Sequence, residues 1–376
     1  MSTTPESTTP SVPQKTPMWR TITLSTVLTA LIAVVLLAFS WPALTAEPKG
    51  VALALTGPEA AVSAVQPLLE EQAGDTFDIT TVDDRDAAVE GIEQRDYAGA
   101  IILGTEPELL TASANGTINQ VIAGLADPLQ EALDAQATAQ AAAMADAQGL
   151  DASAIAAPEI TLAVTDVVPL SEDDPNGSLL TSAFFPILFG GMIGGIVIST
   201  AIVGSLRRIV GVTVYSAVGG LVLTSILQNW FGAIQGDFLT NWGAFALAIG
   251  AIAAPIIGFV GLLGRAGIAV GPVVMMLFAN PISGAALPAQ FLPGIWGTVG
   301  QWFPPGAAAT LVRELSYFPD ANMLFSWLVL GAWFVGGLLL AFVGHLREQR
   351  RAATALVMST TAATTDAAPA EQLVRA

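Results

Sequence analysis

Long uncharged apolar runs flank one polar block in this chain, and their lengths predict most of its elements. Residues 21–46 form a 26-residue stretch without a charge, preceded by Lys15 and Arg20. A helix needs about 20 such residues to cross the hydrocarbon of a bilayer. A cleaved signal peptide and a retained anchor are both compatible with this placement. The apolar part is longer than the roughly 7–15 residues of a signal core, and a cut after Ala46 would put bulky Leu44 where a small side chain is wanted, which favours the anchor. After the polar block come uncharged runs at 175–206, 209–236, 238–264, 266–312 and 321–346. Four have the length of a single crossing. The run of 47 residues at 266–312 does not: beyond Phe278 it is crowded with Asn280, Pro281, Gly284, Pro288, Pro293, Gly294, Gly297, Gly300, Pro304, Pro305 and Gly306. Each proline removes a helical donor, so a second full crossing is a poor fit there. One helix to about Phe278 is expected, then a re-entrant or interfacial hairpin at about 280–312, with Trp296, Trp302 and Phe303 at head-group level.

Between the first two runs the hydrophobic period shortens. Residues 51–55 read as a strand, followed by a Gly57-Pro58 break and a helical stretch through Val65, Leu68 and Leu69, then 77–82 as a strand, 86–94 as a helix and 97–103 as a strand. Such a β-α-β-α-β order fits a small α/β layer. Residues 118–148 contain eleven alanines and apolar positions on one face, which predicts a long helix broken at Pro128. Residues 160–168 alternate enough to return a strand to the sheet.

The fold class expected is therefore a helical membrane protein with six transmembrane helices and an extracytoplasmic α/β domain inserted between helices 1 and 2. The expected boundaries are a disordered cytoplasmic tail at 1–17, helix 1 at 18–46, the acidic α/β domain at 47–178, a five-helix membrane domain at 179–350 and a second disordered cytoplasmic tail at 351–376.

Composition sharpens this picture. Only 12% of residues are charged and 53% are hydrophobic, against about 25% charged in a soluble domain. The net charge of −18 is concentrated: 24 of the 31 acidic residues lie at 47–174, beside only Lys49, Arg85 and Arg95. Nucleic acid is an unsuitable partner for such a surface. With an inward N-terminus and six crossings, Lys15, Arg20, Arg207, Arg208, Arg265, Arg347, Arg350, Arg351 and Arg375 are all cytoplasmic, as the distribution of positive charge in multi-pass proteins requires. Both termini are then cytoplasmic, in a plasma (inner) membrane.

The same composition removes several chemistries. The chain has no cysteine and one histidine, His345, so thiol catalysis, thiolate metal sites and histidine triads are not expected. There is no Gly-x-x-x-x-Gly-Lys phosphate loop, so the chain is not itself an ATPase of that type. No intramembrane acid or base marks an ion path. Asp83, Asp84 and Asp86 fit helix capping better than calcium. Catalytic, cofactor-binding and metal-binding residue sets are not expected, and no cofactor is.

Three groups of residues carry the remaining expectations. Gly190, Gly191, Gly194 and Gly195 form overlapping Gly-x-x-x-Gly pairs, suited either to packing inside one subunit or to a dimer contact. Asn280, Pro281, Pro288, Pro293, Pro304, Pro305, Arg313 and Glu314 form a candidate outer hairpin or gate. Within it, adjacent Arg313 and Glu314 read either as a surface ion pair or as an anchor holding the hairpin to the last helix. Arg207 and Arg208 either contact a cytoplasmic partner or orient a helix pair.

The chain resembles the membrane subunits of type-2 ABC exporters, near the actinobacterial YhgE/Pip (phage infection protein) branch, over about residues 18–350. The resemblance rests on Asp84-Arg85-Asp86-Ala87-Ala88-Val89-Glu90-Gly91-Ile92 leading to Ala98-Gly99-Ala100-Ile101-Ile102, on Asp173-Asp174-Pro175-Asn176-Gly177, and on Leu292-Pro293, Pro304-Pro305-Gly306 and Leu311-Val312-Arg313 in that order. It implies a homodimeric or heterodimeric permease in the lipid bilayer, exporting amphiphilic or lipid-like molecules and energised by a separate cytoplasmic ATPase docked between helices 2 and 3. That connection is short here, about residues 204–208, and lacks the family's acidic stretch. A non-transporting envelope scaffold or surface receptor, binding proteins through its outer domain, is the alternative.

Overall fold

The computed structural model describes residues 17–151 and 155–374. The expected tail at 1–17 lies outside them except for Pro17, as do residues 375 and 376. Helix α1 (Met18–Leu44) ends where the Thr45 amide and hydroxyl both donate to the Trp41 carbonyl. It has no buried residue.

The polar block then folds as β1 (Val51–Thr56), α2 (Glu59–Ala73), β2 (Phe77–Thr81), α3 (Arg85–Glu93), β3 (Gly99–Ile102), β4 (Glu108–Thr111), α4 (Thr117–Ala123), α5 (Ala126–Ala147) and β5 (Ala163–Asp166). The strands make one sheet in the order β2-β1-β3-β4-β5, parallel except for the antiparallel β3/β4 pair. Alternate residues point to opposite faces. Leu53, Leu55, Ile101 and Leu109 pack with Val62, Leu69, Ile118, Ile122 and Leu129 from α2, α4 and α5. Ala54, Ala100 and Leu110 face the other way, toward Ala88 and Ile92 of α3 and the helical body beyond. The helix expected at 118–148 breaks at Gly124–Leu125 rather than at Pro128. Pro128 sits in the first turn of α5, where amides have no intrahelical acceptor and a missing N–H costs nothing.

The body contains α6 (Ser178–Ala201), α7 (Ser205–Thr224) extended by a π-helical turn (Ser225–Trp230), α8 (Phe238–Leu263), α9 (Gly267–Pro272) extended by a π-helical run (Val273–Ala279), α10 (Trp296–Gly300), α11 (Pro304–Tyr317) and α12 (Leu324–Val374). Five segments are long and apolar enough to cross a membrane: Met18–Leu44, Ser178–Ala201, Ser205–Trp230, Phe238–Ala279 and Leu324–Ala355. The fourth doubles back on itself. Gly264, at φ +62°, ends α8, and α9 returns along it with Gly267 against the Phe259 backbone and Gly271 against Ile256.

Helix α8 is the centre of the body, and α6, α7 and α12 pack around it. Its seam with α12 is made by glycines on both sides: a Cβ on Gly258 would stand 2.7 Å from the Gly337 carbonyl oxygen, and one on Gly344 2.7 Å from Gly261 Cα. Without a hydrophobic driving force between helices in lipid, such close backbone approach supplies the attraction. Helix α12 continues through residues 351–374, where a tail is expected from the sequence. The run Arg347–Ala355 consists mostly of strong helix formers, and propagation of an existing helix is far easier than its nucleation.

Candidate functional site: a polar cavity beneath the sheet

The α/β layer rests on one end of the helical body, where the segment between β5 and α6 is held by Asp174 and Ser171. Asp174 is buried and accepts from the amides of Ser178 at 3.0 Å and Leu179 at 2.9 Å, the first donors of α6; a carboxylate there also complements the helix dipole. The Ser171 hydroxyl donates to the Gly232 carbonyl at 2.8 Å. Tyr317, closing α11, donates to the Ala233 carbonyl at 3.0 Å.

Between layer and body lies a cavity of about 320 Å³ lined by Arg95, Thr181, Gln301, Thr310, Arg313 and Glu314, among others. Arg95 reaches it from the turn after α3, where its φ of +65° is the only positive value at a non-glycine residue among the described residues. Glycine is the usual occupant of a left-handed position after a helix. Here the side chain is used: Arg95 Nη1 donates to Glu314 Oε1 at 3.0 Å, and the guanidinium lies 5.1 Å from the centre of the Phe318 ring. Burial lowers the Arg95 pKa and raises that of Glu314, and in each case the pairing opposes the shift.

The adjacent Arg313 and Glu314 do not form the surface ion pair that was one of the two expectations for them. Neighbours on a helix do not face each other, and Glu314 turns to Arg95, 219 residues away. The anchor therefore runs to the α/β layer, not to the last helix. Arg313 makes no ion pair or side-chain hydrogen bond among the described residues. Burial, and then the nearby Arg95, lower its pKa to about 10, so it stays charged at neutral pH. Glu314 Oε2 is buried without a donor.

The rest of the breaker-rich segment forms the floor. Asn280 ends the π-helical run, and its carbonyl accepts from the Ser283 hydroxyl at 2.7 Å. Pro281 lines an adjoining cavity, Pro288 opens a 3-10 turn at Ala289–Phe291, and Pro293 sits in the exposed turn before α10. Pro304 and Pro305 take the first two positions of α11, where proline is tolerated. A Cβ on Gly300 would collide with the Ile282 carbonyl, and one on Gly306 with that of Gly300. Gln301 ties the turns together, donating to the Ser283 carbonyl at 2.9 Å and accepting from the Thr310 hydroxyl at 2.7 Å.

The other sequence candidates lie elsewhere. Gly191 and Gly195 meet Ile252 and the Ala253 carbonyl of α8, and Gly194 meets the Tyr215 ring of α7. The Gly190 carbonyl accepts from the Tyr215 hydroxyl at 2.7 Å. The quartet thus packs inside this chain. At the far end, Arg208 Nε donates to the Ile202 carbonyl at 2.8 Å and closes the α6–α7 turn, while Arg207 is exposed. Among the described residues no group of three or more His, Asp or Glu side chains is arranged to hold a metal.

With five helical segments long and apolar enough to cross a membrane, the chain is a multi-pass helical membrane protein. No protein-family model and no curated protein matches it.

Proposed function

We propose that this chain is the membrane-spanning permease subunit of an ABC-type exporter of amphiphilic or lipid-like molecules, working as a homodimer or heterodimer with a separate cytoplasmic ATPase. The observation that carries the reading is the broken segment 280–303 with α11, which leaves a polar cavity directly beside an apolar one at the layer end of the helical body. Counting α9 with its π-helical run as a short crossing gives six. The α/β layer then lies outside the cytoplasm. The chain path places Arg20, Arg207, Arg208, Arg265 and Arg347 together at the opposite end of the body, and this supports a cytoplasmic assignment for that end and for both termini. The membrane is the plasma membrane, the cavity residues form the outer gate, and exposed Arg207 is the residue offered to a cytoplasmic partner.

The test is purification of the full chain in mild detergent with its bound proteins. Exporter function predicts a stoichiometric ATP-binding subunit whose hydrolysis rate depends on this chain. Recovery of the chain alone, with no nucleotide-dependent activity, overturns it.

One feature favours the scaffold or receptor alternative: an apolar cavity of about 330 Å³ on the sheet face turned away from the body, between Val65, Leu69, Phe77, Leu129 and Leu162. A protein partner held there, and lost on Leu129→Asp, would support that reading.

A further inference from the structure

The polar cavity has an apolar continuation. A second space of about 300 Å³ lies between Phe39 and Pro42 of α1, Phe184 and Phe185 of α6, and the turn at Pro281. The two cavities share Thr181 and residues 284–287 as lining, so they adjoin. Phe185 is half exposed, leaving the apolar space open beside α1.

Charge within the polar half is unbalanced. Arg95 is neutralised by Glu314 and covered by Phe318, whereas Arg313 faces the cavity with no partner among the described residues. A partly buried cation that must share the single Glu314 carboxylate with a second arginine is short of counter-charge, which an incoming anion would supply. Glu314 Oε2, buried and without a donor, can accept from a hydroxyl placed beside such an anion.

We infer that the joined cavities bind one anionic amphiphile, its phosphate or carboxylate head against Arg313 and its hydrocarbon tail against Phe39, Phe184 and Phe185. This names the substrate class of the site on which the exporter reading rests, but the binding itself needs neither ATPase nor transport. Arginine suits the role because its guanidinium keeps its charge when desolvated and presents a fork matched to phosphate or carboxylate oxygens. The aromatic wall selects for the tail without specifying its length.

Dodecyl phosphate, inorganic phosphate and the uncharged dodecyl maltoside serve as probes for the full chain in a neutral detergent. Binding is read by isothermal titration, with circular dichroism and gel filtration checking the fold. Saturable binding of dodecyl phosphate is expected, weakened at least about tenfold in Arg313→Gln, roughly 1.4 kcal/mol, and largely restored in Arg313→Lys. Phe185→Ala should weaken dodecyl phosphate several-fold while leaving any inorganic phosphate binding unchanged. Equal affinity for inorganic and dodecyl phosphate, insensitive to Phe185→Ala, would make this a free-anion site and overturn the inference. So would binding of dodecyl phosphate that Arg313→Gln, correctly folded, leaves unchanged, or equal binding of dodecyl maltoside. Because the titration contains no nucleotide, a positive result beside a failed ATPase purification would sink the exporter reading alone, and the reverse pair would sink only this inference.

Discussion

The edge of the α/β layer and its floor each hold an arginine–glutamate pair, and the two are built for different ends. At the edge, Arg85 grips Glu108 with two hydrogen bonds, Nε at 2.6 Å and Nη2 at 3.0 Å, and Thr165 of β5 donates to the same carboxylate. The arginine side chain is 45% exposed there. At the floor, Arg95 meets Glu314 through a single bond, with both side chains mostly buried at 20% and 11% exposure. Hydrogen bonding from Arg85 holds Glu108 below the usual carboxylate range, whereas burial pushes Glu314 above it. The first pair has settled electrostatics and serves to join β4 and β5 to α3. The second carries an unmet cost, with an unsatisfied oxygen and a second arginine beside it, and that imbalance marks the site.

Removing one partner at each place should separate the two most clearly. Glu314→Ala leaves Arg95 and Arg313 together without a counter-ion and should cost about 2–3 kcal/mol, the range for stripping a partner from a largely buried charge. The comparison fails if chemical denaturation of the full chain in detergent gives Glu314→Ala no larger a loss than Glu108→Ala. That second substitution should cost about 1 kcal/mol or less, because solvent screens the exposed Arg85 left behind. Thr165→Val, which keeps the ion pair, should cost less again.

The smallest effect is the most diagnostic, because its sign differs between the pairs. A lowered folded-state value at Glu108 means its contribution is present above the unfolded value and is lost as pH falls through the folded one. A raised value at Glu314 means the opposite: its contribution is present below the unfolded value and is lost as pH rises through the folded one. Stability differences between the wild type and Glu108→Gln should therefore shrink on acidification, while Glu314→Gln should gain on the wild type as pH rises. Parallel drifts in the two variants would show that the floor pair is as well solvated as the edge pair.

Sequence patterning was most informative where one period ran uninterrupted. The uncharged runs locate α1, α6, α7, α8 and the start of α12, and the breakers after Phe278 announce the end of the helix at Ala279. Strands β1, β2, β3 and β5 fall within the segments read as strands, whereas β4, whose two leucines stand side by side rather than alternating with polar residues, was not. The floor pair was hidden for another reason. A contact spanning 219 residues leaves no local signal, and the adjacency of Arg313 and Glu314 invites the wrong partner. A subtler signal was present: the acidic block holds three basic residues, Lys49, Arg85 and Arg95, and each forms one of the three salt bridges among the described residues. Scarce charges of the minority sign were worth following individually. The α8–α12 seam was missed similarly, because Gly258 and Gly337 match no short motif and find each other only in the fold.

Helix α1 has no buried residue, and the apolar space beside it opens at Phe185. A hydrophobic ligand entering there leaves the bilayer without first passing through water. Its chemical potential is then fixed by its mole fraction in the surrounding leaflet, so adding bare lipid at constant total ligand dilutes it as surely as adding buffer dilutes a soluble one. Occupancy of this cavity is a surface isotherm, and affinities measured at different lipid-to-protein ratios become comparable only on that scale.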